Sequence, residues 1–205
     1  LNARTLRGIG PPVKGVRPAH GGWGWNIPAR RRIPVMAATG KDDPDMTMPT
    51  ETTAPEHVLT LDRVLHAPVA GIWRCWIEPD LLRQWFCPRP WQVSQARIDL
   101  RPGGEFFTLM RGPDGEQMPN HGVFLEIQTE RRLVSTDAFR PGWIPGDQAF
   151  MVADIRLEPT PAGDTHYLAR AMHWTAEARR QHEEMGFHQG WNAAADQLEA
   201  LARTL

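Results

Sequence analysis

The sequence predicts an α+β domain over residues 56–205: a curved antiparallel sheet of about seven strands wrapped on a long C-terminal helix, in the order β-α-α-β-β-β-β-β-β-α. Three observations predict it. After residue 90, six strand-sized segments are separated only by short turn strings or loops, which makes neighbouring strands antiparallel. Near the C-terminus, apolar residues step by 4, 3, 4, 3, 4, the spacing of one buried helix face. Regular patterning starts only at residue 57, behind a segment of different composition.

Each element has a local reason. His57–His66 is rich in β-formers and ends at Ala67-Pro68, where proline can open a helix. Val69, Ile72, Trp73 and Trp76 then fall at i, i+3, i+4 and i+7. Glu78-Pro79-Asp80 interrupts that helix before a second short one, Leu81 to Phe86, which stops at Cys87-Pro88. The strands Trp91–Leu100, Glu105–Arg111 and Gln117–Gln128 are joined by Arg101-Pro102-Gly103-Gly104 and Gly112-Pro113-Asp114-Gly115. Arg132–Ala138, Ala149–Glu158 and Thr165–Trp174 continue the series, with a Pro/Gly loop after Ala138. Met151, Ala153, Ile155 and Leu157 alternate with Val152, Asp154, Arg156 and Glu158, so one face meets a core or cavity. The final helix starts at Thr175 as N-cap and carries Phe187, Trp191, Ala194, Leu198, Leu201 and Leu205 on one face. Gly186 and Gly190 would let its first half approach the sheet or a ligand closely.

Charge divides the chain. Residues 1–55 hold eight Lys+Arg and four acids, net +4, whereas 56–205 hold fifteen and twenty, net −5. The first segment also holds eight of the nineteen prolines and shows no period, so it is expected to be a disordered basic extension. Its Arg30-Arg31-Arg32 run is followed by an apolar stretch too short and Pro-broken for a signal-peptide core. The chain begins at Leu1, and Met46 and Met48 sit just ahead of the first strand pattern, which reads as a gene-start artefact. A total net charge of −1 gives no electrostatic reason to bind nucleic acid, and no stretch approaches the ~20 apolar residues of a membrane span. Two cysteines suit reduced thiols and a cytoplasmic setting.

Standard chemical motifs are missing. There is no G-x-S-x-G elbow, phosphate-binding glycine loop or dinucleotide fingerprint. His182-Glu183 lacks the second histidine of a zinc-protease motif, and Cys75 and Cys87 stand too far apart, without a second pair, for a structural zinc. Neither a metal nor a cofactor is expected.

Several strings together carry a family resemblance: Ala67-Pro68…Ile72-Trp73…Trp76, Leu100-Arg101-Pro102-Gly103-Gly104, Gly112-Pro113-Asp114-Gly115, Gly122-Val123-Phe124-Leu125-Glu126, Thr136-Asp137-Ala138-Phe139 and Met185-Gly186-Phe187-His188-Gln189-Gly190-Trp191. They resemble the bacterial homologues of the heat-shock protein 90 ATPase activator C-terminal domain, a branch of the START-like, or SRPBCC, helix-grip superfamily, over about residues 57–204. The resemblance implies a helix-grip fold with a ligand-sized cavity and no single activity. It places Trp85, Phe107, Trp143, Phe187 and Trp191 at the cavity wall or mouth, His121 and His173 on strands around the concave sheet, and Asp137 at the mouth. His121, His173 and Asp137 are the candidate catalytic residues, since each could move a proton or orient a ligand. Three function classes follow: a small binding protein for an apolar or amphipathic molecule, a cyclase-like or hydrolase-like enzyme in the same cavity, and a chaperone-linked protein acting through its surface. Edge strands of such a sheet offer a route to a homodimer.

Overall fold

A computed structural model describes residues 55–147 and 149–205. The expected disordered extension, with its arginine run and the Met46 and Met48 positions, lies outside the described residues.

Strand β1 (Val58–Leu65) turns Leu59, Leu61 and Leu65 inward and leaves Thr60 and Asp62 exposed, as a half-buried strand must. Pro68 caps α1 (Val69–Ile77), which buries Ile72, Trp73, Cys75 and Trp76. Pro79 occupies the first turn of α2 (Pro79–Trp85), where its missing N–H costs no helical hydrogen bond. Four strands follow, β2 (Gln92–Ile98), β3 (Glu105–Arg111), β4 (Gln117–Gln128) and β5 (Arg132–Thr136). Within the next loop a miniature hairpin forms from β6 (Phe139–Arg140) and β7 (Ile144–Pro145), which the sequence pattern left as loop. Its turn holds Gly142 and Trp143 at positive φ. Strands β8 (Val152–Pro159) and β9 (Thr165–Met172) complete an antiparallel sheet of seven, ordered β1-β9-β8-β5-β4-β3-β2.

The C-terminal helix departs from expectation. Two helices replace one: α3 (Ala176–Glu184) and α4 (Phe187–Ala202). Gly186 between them adopts φ 93, a left-handed conformation that stops α3 and is cheap only for glycine. Thr175 does cap α3, accepting from the Ala178 N–H at 3.0 Å. The apolar stripe belongs to α4, where Phe187, Ala194 and Leu198 are buried, and it runs out before Leu205, which is exposed.

Helices α1, α2 and α4 cover the concave sheet face over one core that includes Ile72, Trp73, Phe124, Leu133, Ile155 and Leu198. Arg63 on β1 holds α4 from the side, bonding the Asn192 carbonyl and the Asp196 carboxylate. On the opposite face, Asp154 has a fully buried carboxylate that accepts from Arg132, Arg156 and Arg170. Burial alone would raise its pKa, but the three guanidinium bonds prevail and bring it down to about 2. This cluster staples β5, β8 and β9 where no helix covers them.

Candidate functional site

Between the sheet, α2, α4 and the β6–β7 loop lies a cavity of about 630 Å³. Its existence follows from geometry: a curved sheet of seven strands is wider than one helix, and α4 contributes small residues, Gly190, Ala194 and Ala195, where it faces the opening. The α2 side is held firmly. Trp85 donates its indole N–H to the Cys75 carbonyl at 3.0 Å, and Gln197 of α4 donates to the Trp85 and Cys87 carbonyls at 2.9 Å each. Trp76, Trp85, Phe86, Phe106 and Phe124 then form a chain of edge-to-face ring contacts, 4.8 to 5.9 Å between centroids, along the inner wall. Met110, Met118, Met151 and Met185 add soft, adaptable lining.

Polar groups gather toward the β6–β7 loop. Asp137 stands at the neck of that loop. Its Oδ1 accepts from the Phe150 and Met151 N–H groups at 2.9 and 3.1 Å, and its Oδ2 from the same Phe150 N–H at 3.0 Å. Burial raises its pKa above the usual carboxylate value, against the lowering effect of those backbone bonds. Arg140 lines the same end and pairs with Asp147 at 2.7 Å. His121 borders the cavity from β4 with its ring on the Phe107 side of the strand, its pKa lowered by burial and by the Arg140 charge, with Glu105 opposing.

Five of the eight residues expected at the cavity line it: Trp85, His121, Asp137, Phe187 and Trp191. Phe107, Trp143 and His173 are not on its wall, and each has a physical reason. Strand β3 presents Phe106 to the cavity, so the next residue faces the other way. There the Phe107 ring packs on His121 at 4.7 Å beneath the Arg97 guanidinium at 3.8 Å. Trp143, 53% exposed, sits at the tip of the small hairpin with its indole against Gly103. His173 lies one shell behind, its Nε2 2.9 Å from Nδ1 of His182.

His182 was not among the expected site residues; it stands in the polar string Arg179-Arg180-Gln181-His182-Glu183-Glu184, ahead of the apolar stripe. In the fold it is 1% exposed and lines the cavity between Phe150, Phe187 and Trp191. The pair has a defined proton arrangement. A carbonyl only accepts, so His173 Nδ1, 3.2 Å from the His57 carbonyl, carries a proton. In the neutral ring its Nε2 therefore accepts, and the donor is His182 Nδ1–H. His182 consequently turns the acceptor form of Nε2 to its surroundings. Burial, and then the neighbouring His173, push the His182 pKa down to about 3, so both rings are neutral at pH 7. Tyr167 was also unforeseen; it lines the cavity floor with its hydroxyl pKa raised by burial.

A curved antiparallel sheet closed over a C-terminal helix around an apolar cavity defines the START-like helix-grip class. Residues 66–203 match the family described as Activator of Hsp90 ATPase homolog 1-like protein, and the chain belongs to that family. Among solved structures, it is similar to a Nitrosomonas europaea protein at 47% identity, covering 74% of this chain and 97% of that one with a TM-score of 0.71. A Mycobacterium smegmatis protein shares 26% identity over 71% of this chain and 90% of its own, at TM-score 0.59. An AHSA1-like protein of Aeromonas hydrophila, at 18% identity, 72% and 92% coverage and TM-score 0.54, shares the fold. No curated protein matches. No helix among the described residues is long and apolar enough to cross a membrane.

Proposed function

We propose that the domain is a small cytoplasmic carrier or receptor that seats an apolar or amphipathic molecule between the sheet and α4. The cavity carries this reading. Its volume of about 630 Å³ falls within the roughly 300–1,000 Å³ typical of small-molecule sites, and its wall is mainly apolar and rich in aromatic residues and methionine, with polar groups gathered toward the β6–β7 loop. Cys75 and Cys87 are both free and buried, with pKa values raised to about 11 by burial, which suits a reducing compartment. An open cavity supports binding over a purely surface-mediated chaperone role, for which a filled core would be the natural design.

A thermal-shift titration of the full chain tests this with fatty acids, flavonoids and aromatic polyketides. A true ligand raises the melting temperature progressively, with stabilisation of about 2.7 kcal/mol at a hundred times its Kd. Silence across that panel, with unchanged tryptophan fluorescence, would refute the reading.

A second reading is catalysis in the same cavity, favoured by one observation: His121 and Asp137 both line it, with shifted pKa values. Once a turned-over substrate is in hand, His121→Gln and Asp137→Asn should each reduce kcat. Unchanged rates in both would remove these two residues as proton-transfer groups.

A further inference from the structure

The charges along the cavity wall are unbalanced at one place. Arg140 is matched by Asp147, and burial keeps His121 and His182 neutral at pH 7. Asp137 has no ion-pair partner among the described residues; its two donors are backbone N–H groups. A carboxylate offers about four lone-pair sites, so two donors leave acceptor capacity on a group that lines the cavity. The Phe150 and Met151 bonds also fix where that capacity lies, because they tie the carboxylate across the neck of the loop.

We propose that Asp137 selects the polar end of the ligand: a hydrogen-bond donor, either hydroxyl or ammonium, seats on its carboxylate, and ligands headed by a carboxylate are disfavoured. This rests on the small-molecule reading above. The physical reason is local. In an apolar enclosure an undercompensated carboxylate is costly, a ligand donor offsets that cost, and a ligand anion adds like-charge repulsion. The ligand body then runs from Asp137 toward the aromatic wall of Trp76, Trp85 and Phe106, which fixes its orientation as well as its head group. The raised pKa of Asp137 agrees with a carboxylate that lacks a cation.

Four ligands on one skeleton test the assignment in the full chain: 4-phenylbenzyl alcohol, 4-phenylbenzylamine, biphenyl-4-carboxylic acid and 4-methylbiphenyl, followed by tryptophan fluorescence at pH 7.5. The alcohol or the amine should bind at least tenfold more tightly than the acid, with the methyl compound between. An amine well ahead of the alcohol identifies charge pairing, and equal affinities identify neutral hydrogen bonding. Asp137→Asn should weaken the preferred donor at least tenfold, strengthen the acid, and leave 4-methylbiphenyl within twofold. If that variant does not fold, the wild-type order still decides, together with a titration to pH 4.5 in which the amine's advantage over 4-methylbiphenyl should shrink. An acid that binds as tightly as the amine and alcohol would overturn the assignment and point to Arg140 as anchor, leaving the small-molecule reading intact. Absence of binding by all four and by the broader panel would overturn both.

Discussion

Replacing His182 with asparagine should change how stability depends on pH, by an amount the structure sets. The imidazole is 1% exposed and its folded-state pKa is about 3, against about 6.5 in an unfolded chain. Below pH 6.5 the unfolded chain binds a proton that the native chain refuses, so acidification favours unfolding. One such group contributes up to about 1.4 kcal/mol per pH unit, fully present above pH 6.5 and lost as pH falls toward 3. Down to pH 4.5 this amounts to about 2–3 kcal/mol, a large part of the 5–15 kcal/mol of a typical domain. His173, lowered by burial against its bond to the His57 carbonyl, acts in the same direction. Asparagine keeps an amide N–H near the Nδ1 position and so can still donate to His173. The variant should lose about 1–3 kcal/mol at pH 7.5 yet show a flatter pH profile. Urea unfolding followed by circular dichroism at pH 7.5, 6.5, 5.5 and 4.5 measures both curves. Parallel curves for the two proteins would refute the neutral-pair argument.

Asp154→Asn should destabilise the domain by about 3–5 kcal/mol in urea, because three guanidinium groups lose their buried counter-ion. The wild-type contribution of Asp154 is present above the ordinary carboxyl pKa and is lost as pH falls through about 2, a window visible in acid unfolding. Ala194→Trp should fill the cavity from α4, reducing affinity for any ligand found at least tenfold in fluorescence titration. Its melting temperature should stay near wild type, which separates a blocked cavity from a damaged fold. Gly186→Ala should cost about 1–2 kcal/mol in calorimetric melting, since alanine at φ 93 is strained and the α3–α4 joint depends on that conformation.

Much of this fold was legible from local rules. Strands β3 and β4 were read with their observed bounds; turn strings rich in Gly and Pro mark both ends of β3 and the start of β4. The C-terminal helix was read as continuous from the Thr175 cap to the apolar stripe that begins at Phe187, because neither a cap nor a period reports the single left-handed φ of Gly186 between them. The site was legible in part. Phe187 and Trp191 follow from a helix stripe, whereas Trp85 and Phe107 were placed by the family resemblance, Phe107 by a shift of one residue from the Phe106 that the strand presents to the cavity. In a strand that shift exchanges core for opposite face, so a local pattern with two adjacent phenylalanines cannot choose between them.

The sequence by itself determined the type and order of the seven sheet strands and of the first two helices, since these depend on propensity, capping and period, which act over a few residues. It also determined that one face of each element would be buried. Only the tertiary structure decided which buried groups meet. His173 and His182 become partners because the end of β9 and α3 converge, and Asp137 receives only backbone N–H groups while Arg140, at the same end of the cavity, pairs with Asp147. Such pairings depend on the path of the whole chain, and burial then turns them into chemistry by removing the water that would otherwise make every histidine and carboxylate alike.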